Sequence, residues 1–302
     1  LVQKRGCPAA FEVCATTSEI SASVAGVSRI GGEPVRPTDR FPIGSMTKSM
    51  TATLAALLVQ DQVIDWDTKL LDAMPELAAT ARPEYAAVTL LDLLAHRGGI
   101  VTPESLEELP PITGTLREQR AQYSAWALAQ PTRSTPRVQV EYSNGGYVVA
   151  AALLERLAGE DYESLMRSRL FDPLGMDAEF GAPGSAGGTE SWGHRRVGRH
   201  WQPLAPAESA AQVPEALNPA GLLKIAPVGL GRYLQLHLRA LQGEAGLLLT
   251  PEAAMTLHRE VGDGFALGWL VANSPSLGPI SLHNGSDDAS YYALMGLSAP
   301  AD

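Results

Sequence analysis

Apolar and polar positions alternate at the start of the chain. Phe11, Val13 and Ala15 take one side, and Glu12, Cys14 and Thr16 the other. After Thr17-Ser18-Glu19 the alternation resumes at Ile20, Ala22 and Val24. A period of two belongs to strands, so residues 9 to 31 predict a hairpin ended by Gly31-Gly32. Pro42 and Gly44 then break the chain, and a crowded apolar run predicts a helix from about Ser45 to Gln60. Thr89 can cap a helix through Leu90, Leu91, Leu93 and Leu94, stopped by Gly98-Gly99. Helices are also predicted for Gln119 to Ala129, Asn144 to Ala158, Tyr162 to Phe171, Val228 to Leu241 and Pro251 to His258. Residues 181 to 220, rich in Gly, Pro and Ala, predict an irregular excursion. Strands are predicted again at Gly264 to Ala272, Ile280 to His283 and Ser290 to Leu297.

Strands at both ends with helices between them predict an α/β (α+β) protein. An antiparallel sheet flanked by helices would be built from residues 1–64 and 222–302, with a mostly helical lobe inserted at residues 65–221. The 302 residues suffice for a sizeable core, and 45% hydrophobic against 19% charged residues is a globular balance. Lys+Arg 23 against Asp+Glu 33 gives a net charge of −10, which argues against a general nucleic-acid binder. No segment reaches the ~20 apolar residues of a membrane span. The first residues hold no signal-peptide core, which fits a cytoplasmic protein or a mature one whose leader was removed. Cys7 and Cys14 are too few for a disulfide scaffold and lack metal spacing, as do His200, His237 and His258. No metal or cofactor is expected.

Three short stretches carry chemistry. Ser45 and Lys48 lie three apart at a helix start, where side chains are neighbours. A serine hydroxyl needs a base, and a lysine serves when burial lowers its pKa. The plainer account of Ser-x-x-Lys is an N-cap serine and an exposed lysine, but Lys48 is flanked by core residues. Tyr142-Ser143-Asn144 opens another helix. A tyrosine beside a lysine can shuttle a proton, and Asn144 offers a donor and an acceptor; alone, the pair reads as a strand-end tyrosine and an N-cap asparagine. His283-Asn284-Gly285-Ser286 follows a short strand. Gly285 permits close backbone approach, and the Ser286 N–H could join that of Ser45 as an oxyanion donor, although Asn-Gly is also a turn signal. His96 reads as a helix C-terminal residue that favours the dipole. Trp192-Gly193-His194 fits a cleft wall or loop packing equally, and Arg195-Arg196 a solvated face.

The order Ser-x-x-Lys, Tyr-x-Asn, His-x-Gly resembles the serine β-lactamase/penicillin-binding-protein superfamily. The closer likeness is to its class C branch, with family VIII carboxylesterases, D-Ala-D-Ala carboxypeptidases and D-aminopeptidases. Phe41-Pro-Ile-Gly-Ser-Met-Thr-Lys, Leu90-Leu-Asp-Leu-Leu-Ala-His-Arg-Gly-Gly-Ile, Phe171-Asp-Pro-Leu-Gly-Met, Asn218-Pro-Ala-Gly-Leu and Gly264-Phe-Ala-Leu-Gly-Trp extend it over most of residues 9 to 298. The resemblance implies a β-lactamase/transpeptidase-like fold and a covalent acyl-enzyme on an ester, a small amide or a D-amino-acid-containing substrate. In it Ser45 attacks, Lys48 and Tyr142 share base and acid work, and Asn144, His283, Gly285 and Ser286 bind substrate. His283 stands where class C β-lactamases usually carry the lysine of Lys-Thr-Gly. That disfavours strong β-lactamase activity and leaves a weak β-lactamase, a carboxypeptidase or a non-turnover penicillin-binding sensor as alternatives. The family normally continues through a further strand and helix, so an exposed sheet edge is expected near the chain end, covered by a homo-oligomer or another partner.

Overall fold

The opening alternation does form a hairpin, β1 (Ala9–Ala15) and β2 (Ile20–Gly26), with Ala9 opposite Gly26 and Ala15 opposite Ile20. The computed structural model describes residues 6–103, 106–185, 190–210, 213–287 and 290–299, side chains excepted at 106, 209 and 210. The expected chain end at Ala299-Pro300-Ala301-Asp302 lies outside the described residues beyond Ala299. Cys7 and Cys14 are free, and Cys14 is on the exposed side of β1.

Two helices run through the core. Thr47–Gln60 is buried at every position from Thr47 to Leu58, so it shows no solvent face. Its polar side chains are all bonded there: Thr51 Oγ1 donates to Pro219 O at 2.8 Å, and Thr53 lies 3.0 Å from the Tyr233 hydroxyl. Asn144–Ala158 is the second, capped by Ser143, whose Oγ accepts from Gly146 N at 2.9 Å. Thr89 and Asp92 form a capping box on Leu90–Leu94. Thr115 does the same for Leu116–Ala129, which starts earlier than predicted. The segment predicted as one helix from Tyr162 to Phe171 changes pitch, α over Tyr162–Met166 and π over Arg167–Phe171.

One buried ion cluster ties these helices together. Arg120 is fully buried and reaches Glu155 at 2.5 Å and Glu163 at 2.8 Å. Asn218 Nδ2 donates to Glu163 at 2.8 Å, which anchors the Asn218–Gly221 turn. Removing one partner of such a cluster typically costs ~3–5 kcal/mol, because a buried charge loses its counterion.

The strands are antiparallel throughout but do not make one sheet. Among the described residues they form β1-β2, β10-β9-β8, β3-β7-β4 and β5-β6. Here β3 is Phe41–Pro42, β4 Ala178–Phe180, β5 His194–Val197, β6 His200–Pro203 and β7 Leu223–Ile225. The last three are β8 (Leu270–Ser274), β9 (Gly278–Ser286) and β10 (Tyr292–Leu297). Three expectations are corrected. The excursion at 181 to 220 contains the β5–β6 hairpin and the helix Pro206–Ala210. Within Gly264 to Ala272 only the part from Leu270 is strand, because Ala266, Leu267 and Trp269 are all buried rather than alternating. The two chain ends build separate sheets. On β10, which edges its sheet, Tyr292 and Leu294 are exposed.

Candidate active site

Ser45 occupies the 3-10 turn Gly44–Met46 that leads into the Thr47–Gln60 helix. Two glycines set its surroundings. Gly44 has φ +54°, in the left-handed region, and a Cβ there would stand 2.7 Å from the Ser286 nitrogen. On the facing strand, a Cβ at Gly285 would fall 1.9 Å from Ile43 O and 2.7 Å from the Ser45 nitrogen. So β9 meets the turn backbone to backbone, with the Ser45 and Ser286 nitrogens at the contact. Ile43 N donates to Leu223 O at 3.1 Å, and Thr47 Oγ1 to Gly44 O at 2.7 Å, which fixes the turn.

Lys48 is wholly buried beneath Ser45. Its Nζ lies 2.7 Å from Asn144 Oδ1, 2.6 Å from Ala220 O and 3.1 Å from Ser45 Oγ. The first two groups can only accept, so they take two N–H bonds. In the neutral amine the remaining lone pair faces the serine hydroxyl. No carboxylate pairs with Lys48 among the described residues, and burial pushes its pKa well below the usual lysine range. Asn144 can reach Lys48 because Ser143, not Asn144, caps the helix.

The Tyr142 ring lies 4.9 Å from Lys48 Nζ. Desolvation pushes its phenol up to about 12, with an interaction from Ser45 pulling it back. As 45% of the residue is open to solvent, the upward push is weaker than burial of a whole ring would give. His283 is buried, with Nδ1 2.7 Å from the Asn284 carbonyl oxygen. Burial first, then the Lys48 charge, lowers it to about 4, so the ring is neutral at pH 7. Ser45, Tyr142, Asn144, His283, Gly285 and Ser286 all line one cavity of about 540 Å³, and Lys48 is bonded to two of them, Ser45 and Asn144. The structure thus brings together every site residue expected from the sequence. Among the described residues no group of His, Cys, Asp and Glu could hold a metal. Among the described residues no helix is long and apolar enough to cross a membrane.

Residues 2–298 match the Beta-lactamase family model. The chain belongs to the beta-lactamase family. Penicillin-binding protein 4 of Amycolatopsis lactamdurans is 26% identical over 242 residues, covering 79% of this chain and 61% of that protein. The structure of SurE with D-Leu is 26% identical, with a TM-score of 0.72 over 94% of this chain and 63% of SurE. An octameric penicillin-binding protein homologue from Pyrococcus abyssi, at 20% identity, shares the fold with a TM-score of 0.78 over 99% of this chain and 68% of its own. The chain therefore spans about three fifths of the length of the curated relative and of SurE.

Within this beta-lactamase-family site, His96 has a part that its sequence position hid. It takes φ 58°, is buried, and is pushed well below its ordinary pKa by burial, Lys48 and His283. It is uncharged, so the expected dipole interaction is replaced by a packing one. Its ring lies 4.4 Å from that of Tyr142, and its Nδ1 accepts from Ser143 N at 3.0 Å. His96 thereby sets the position of Tyr142. The Ala220 carbonyl was also missed, since a backbone acceptor has no side-chain signature. Trp192-Gly193-His194 takes the loop-packing role: Arg29 stacks on Trp192 at 4.8 Å, and His194 N donates to Ser290 O at 2.9 Å. His237 and His258 bond to each other at 2.9 Å, and His258 lies 2.8 Å from Ser281 Oγ.

Proposed function

We propose that this chain is a serine hydrolase that acts on esters or small amides through an acyl-enzyme on Ser45. The observation that carries the reading is the buried Lys48 amine, held by two acceptors with its third direction on Ser45 Oγ at 3.1 Å. In the first half-reaction the neutral amine takes the Ser45 proton while Oγ bonds to the substrate carbonyl carbon. Negative charge grows on the carbonyl oxygen, where the Ser45 and Ser286 N–H groups are donors. The proton passes, with Tyr142 as relay, to the leaving oxygen or nitrogen as its bond to carbon breaks. Water then attacks the Ser45 ester, giving its proton to the same base, and Oγ leaves as a hydroxyl. Asn144 keeps its amide NH₂ for the substrate while its oxygen holds Lys48.

Neutral His283 supports a substrate without a carboxylate at that end, which ranks a D-Ala-D-Ala carboxypeptidase or a strong β-lactamase lower. The likeness to SurE, solved with D-Leu, supports D-amino-acyl groups as candidates. A homo-oligomer covering β10 is part of the same proposal, supported by Tyr292 and Leu294. Partitioning tests the reading. Two esters with one acyl group and different leaving groups, hydrolysed in dilute methanol, should give the same ratio of acid to methyl ester. Ratios that depend on the leaving group would exclude a common acyl-enzyme. Stable acylation without release would mark a sensor instead.

A further inference from the structure

Besides Lys48, Lys224 is fully buried, and the chemistry at Ser45 makes no use of it. Lys224 is the middle residue of β7, between the buried Leu223 and Ile225. Its Nζ lies 2.8 Å from Glu190 Oε1, and it donates to Ser185 Oγ at 2.8 Å and to Ala182 O at 3.2 Å. An ammonium has three N–H bonds, and here they meet three acceptors, one of them a buried carboxylate. Lys48 meets no carboxylate among the described residues and turns toward a hydroxyl. One buried lysine is therefore arranged as a base and the other as a tie.

What the tie holds is a wall of the Ser45 cavity. Ala182 and Pro183 line that cavity, as does Leu222, two residues before Lys224. Ala182 and Pro183 have no polar side chain of their own, so the polar anchor is Lys224, through the Ala182 carbonyl and the Ser185 hydroxyl. Glycines stand on either side of the wall. Gly181 has φ +124°, and its N donates to Leu222 O at 3.0 Å. Gly184 has φ +78°, and a Cβ there would stand 2.5 Å from the Trp192 ring. The far end of the tie is fixed to the framework, because Ser191 N donates to Arg40 O at 3.3 Å and Trp192 N to Ser28 O at 2.9 Å. Lys224 thus joins the Ala182-Pro183 wall to Glu190 and to the body of the protein.

We propose that Lys224 is a positioning residue for specificity: with Glu190 and Ser185 it holds the Ala182-Pro183 wall in place, and that wall limits the size of one half of the substrate. Lys224 acts through the wall and touches no reacting atom. The proposal rests on Ser45 being the acylated nucleophile, and it adds a residue that sets which substrates reach that nucleophile.

The test varies the two halves of the substrate separately. One series is p-nitrophenyl acetate, butyrate and octanoate; the other is the acetates of p-nitrophenol, phenol and naphthol. In the wild type kcat/KM should spread by roughly tenfold or more along one series, as a fitted wall discriminates by about that much for a methylene. In Lys224→Met that spread should shrink about fivefold, while the spread along the other series stays within about twofold. A purely structural loss would scale both series alike. Lys224→Met leaves a buried carboxylate without its counterion, so Lys224→Met/Glu190→Gln is measured beside it and should show the same change. Ser185→Ala withdraws one acceptor and should move the same series in the same direction by less. Both series scaled equally, a spread unmoved in the double variant, or a wild type indifferent to both halves overturns the proposal and leaves the acyl-enzyme reading standing. If neither lysine variant folds, a spread unmoved in Ser185→Ala overturns it. No acyl adduct on Ser45 from any of these esters overturns both.

Discussion

Lys48→Met is expected to lower kcat/KM for a p-nitrophenyl ester by about 10²–10⁴-fold, the range that a positioned general base contributes. Methionine keeps the apolar stem and removes the amine. In the wild type the acid limb of the pH–rate profile should report Lys48. Activity rises as the ammonium loses its proton, and it does so well below the usual lysine range because burial disfavours the charge. In Lys48→Met that limb should vanish with the activity. The Ala220 carbonyl and Asn144 Oδ1 lose their shared donor as well, so stability should fall by ~1–3 kcal/mol for each acceptor left unbonded. Steady-state rates from pH 5 to 10, with thermal melts of the same samples, check this. A variant that keeps most of its activity and the same limb would remove Lys48 as the base.

Gly285→Ala is the second large effect. The added methyl would stand 1.9 Å from Ile43 O and 2.7 Å from the Ser45 nitrogen, both backbone atoms that cannot swing aside as a side chain can. Either β9 moves back from the turn or the turn opens. Both separate the Ser45 and Ser286 N–H groups. Loss of one oxyanion donor typically costs about 10²–10³ in kcat, and that is the expected floor here. The loss should appear in kcat, because the donors act on charge that develops only in the transition state. An effect confined to KM would mean that the two N–H groups bind substrate without stabilising the oxyanion.

Several of these features were legible in the residues themselves. The β1–β2 hairpin and the helices Asn144–Ala158 and Pro251–His258 carry their own local pattern; the helix limits follow it, while β2 stops at Gly26, short of the expected Gly31-Gly32. Ser45, Lys48, Tyr142, Asn144 and His283 announce chemistry by type and spacing, and the fold gathers them at one cavity. What escaped depends on distant partners. β3, β4 and β7 have two or three residues each, too few for a period, and exist through pairing with one another. β5 and β6 hide in a stretch rich in Gly and Pro, as four-residue strands with polar faces. His96 looked like a helix-end residue because nothing near it in sequence shows that Tyr142 stacks on it. The Asn218–Gly221 turn owes its place to Glu163 and Thr51, which lie 55 and 168 residues from their bonded partners there.

The most direct test of the central claim is intact-protein mass spectrometry after brief mixing with a p-nitrophenyl ester, followed by peptide mapping. The account predicts a mass increase of one acyl group on the wild-type chain, mapped to the peptide containing Ser45 and absent from Ser45→Ala. An adduct that persists in Ser45→Ala, or turnover of the ester by that variant at the wild-type rate, would contradict it.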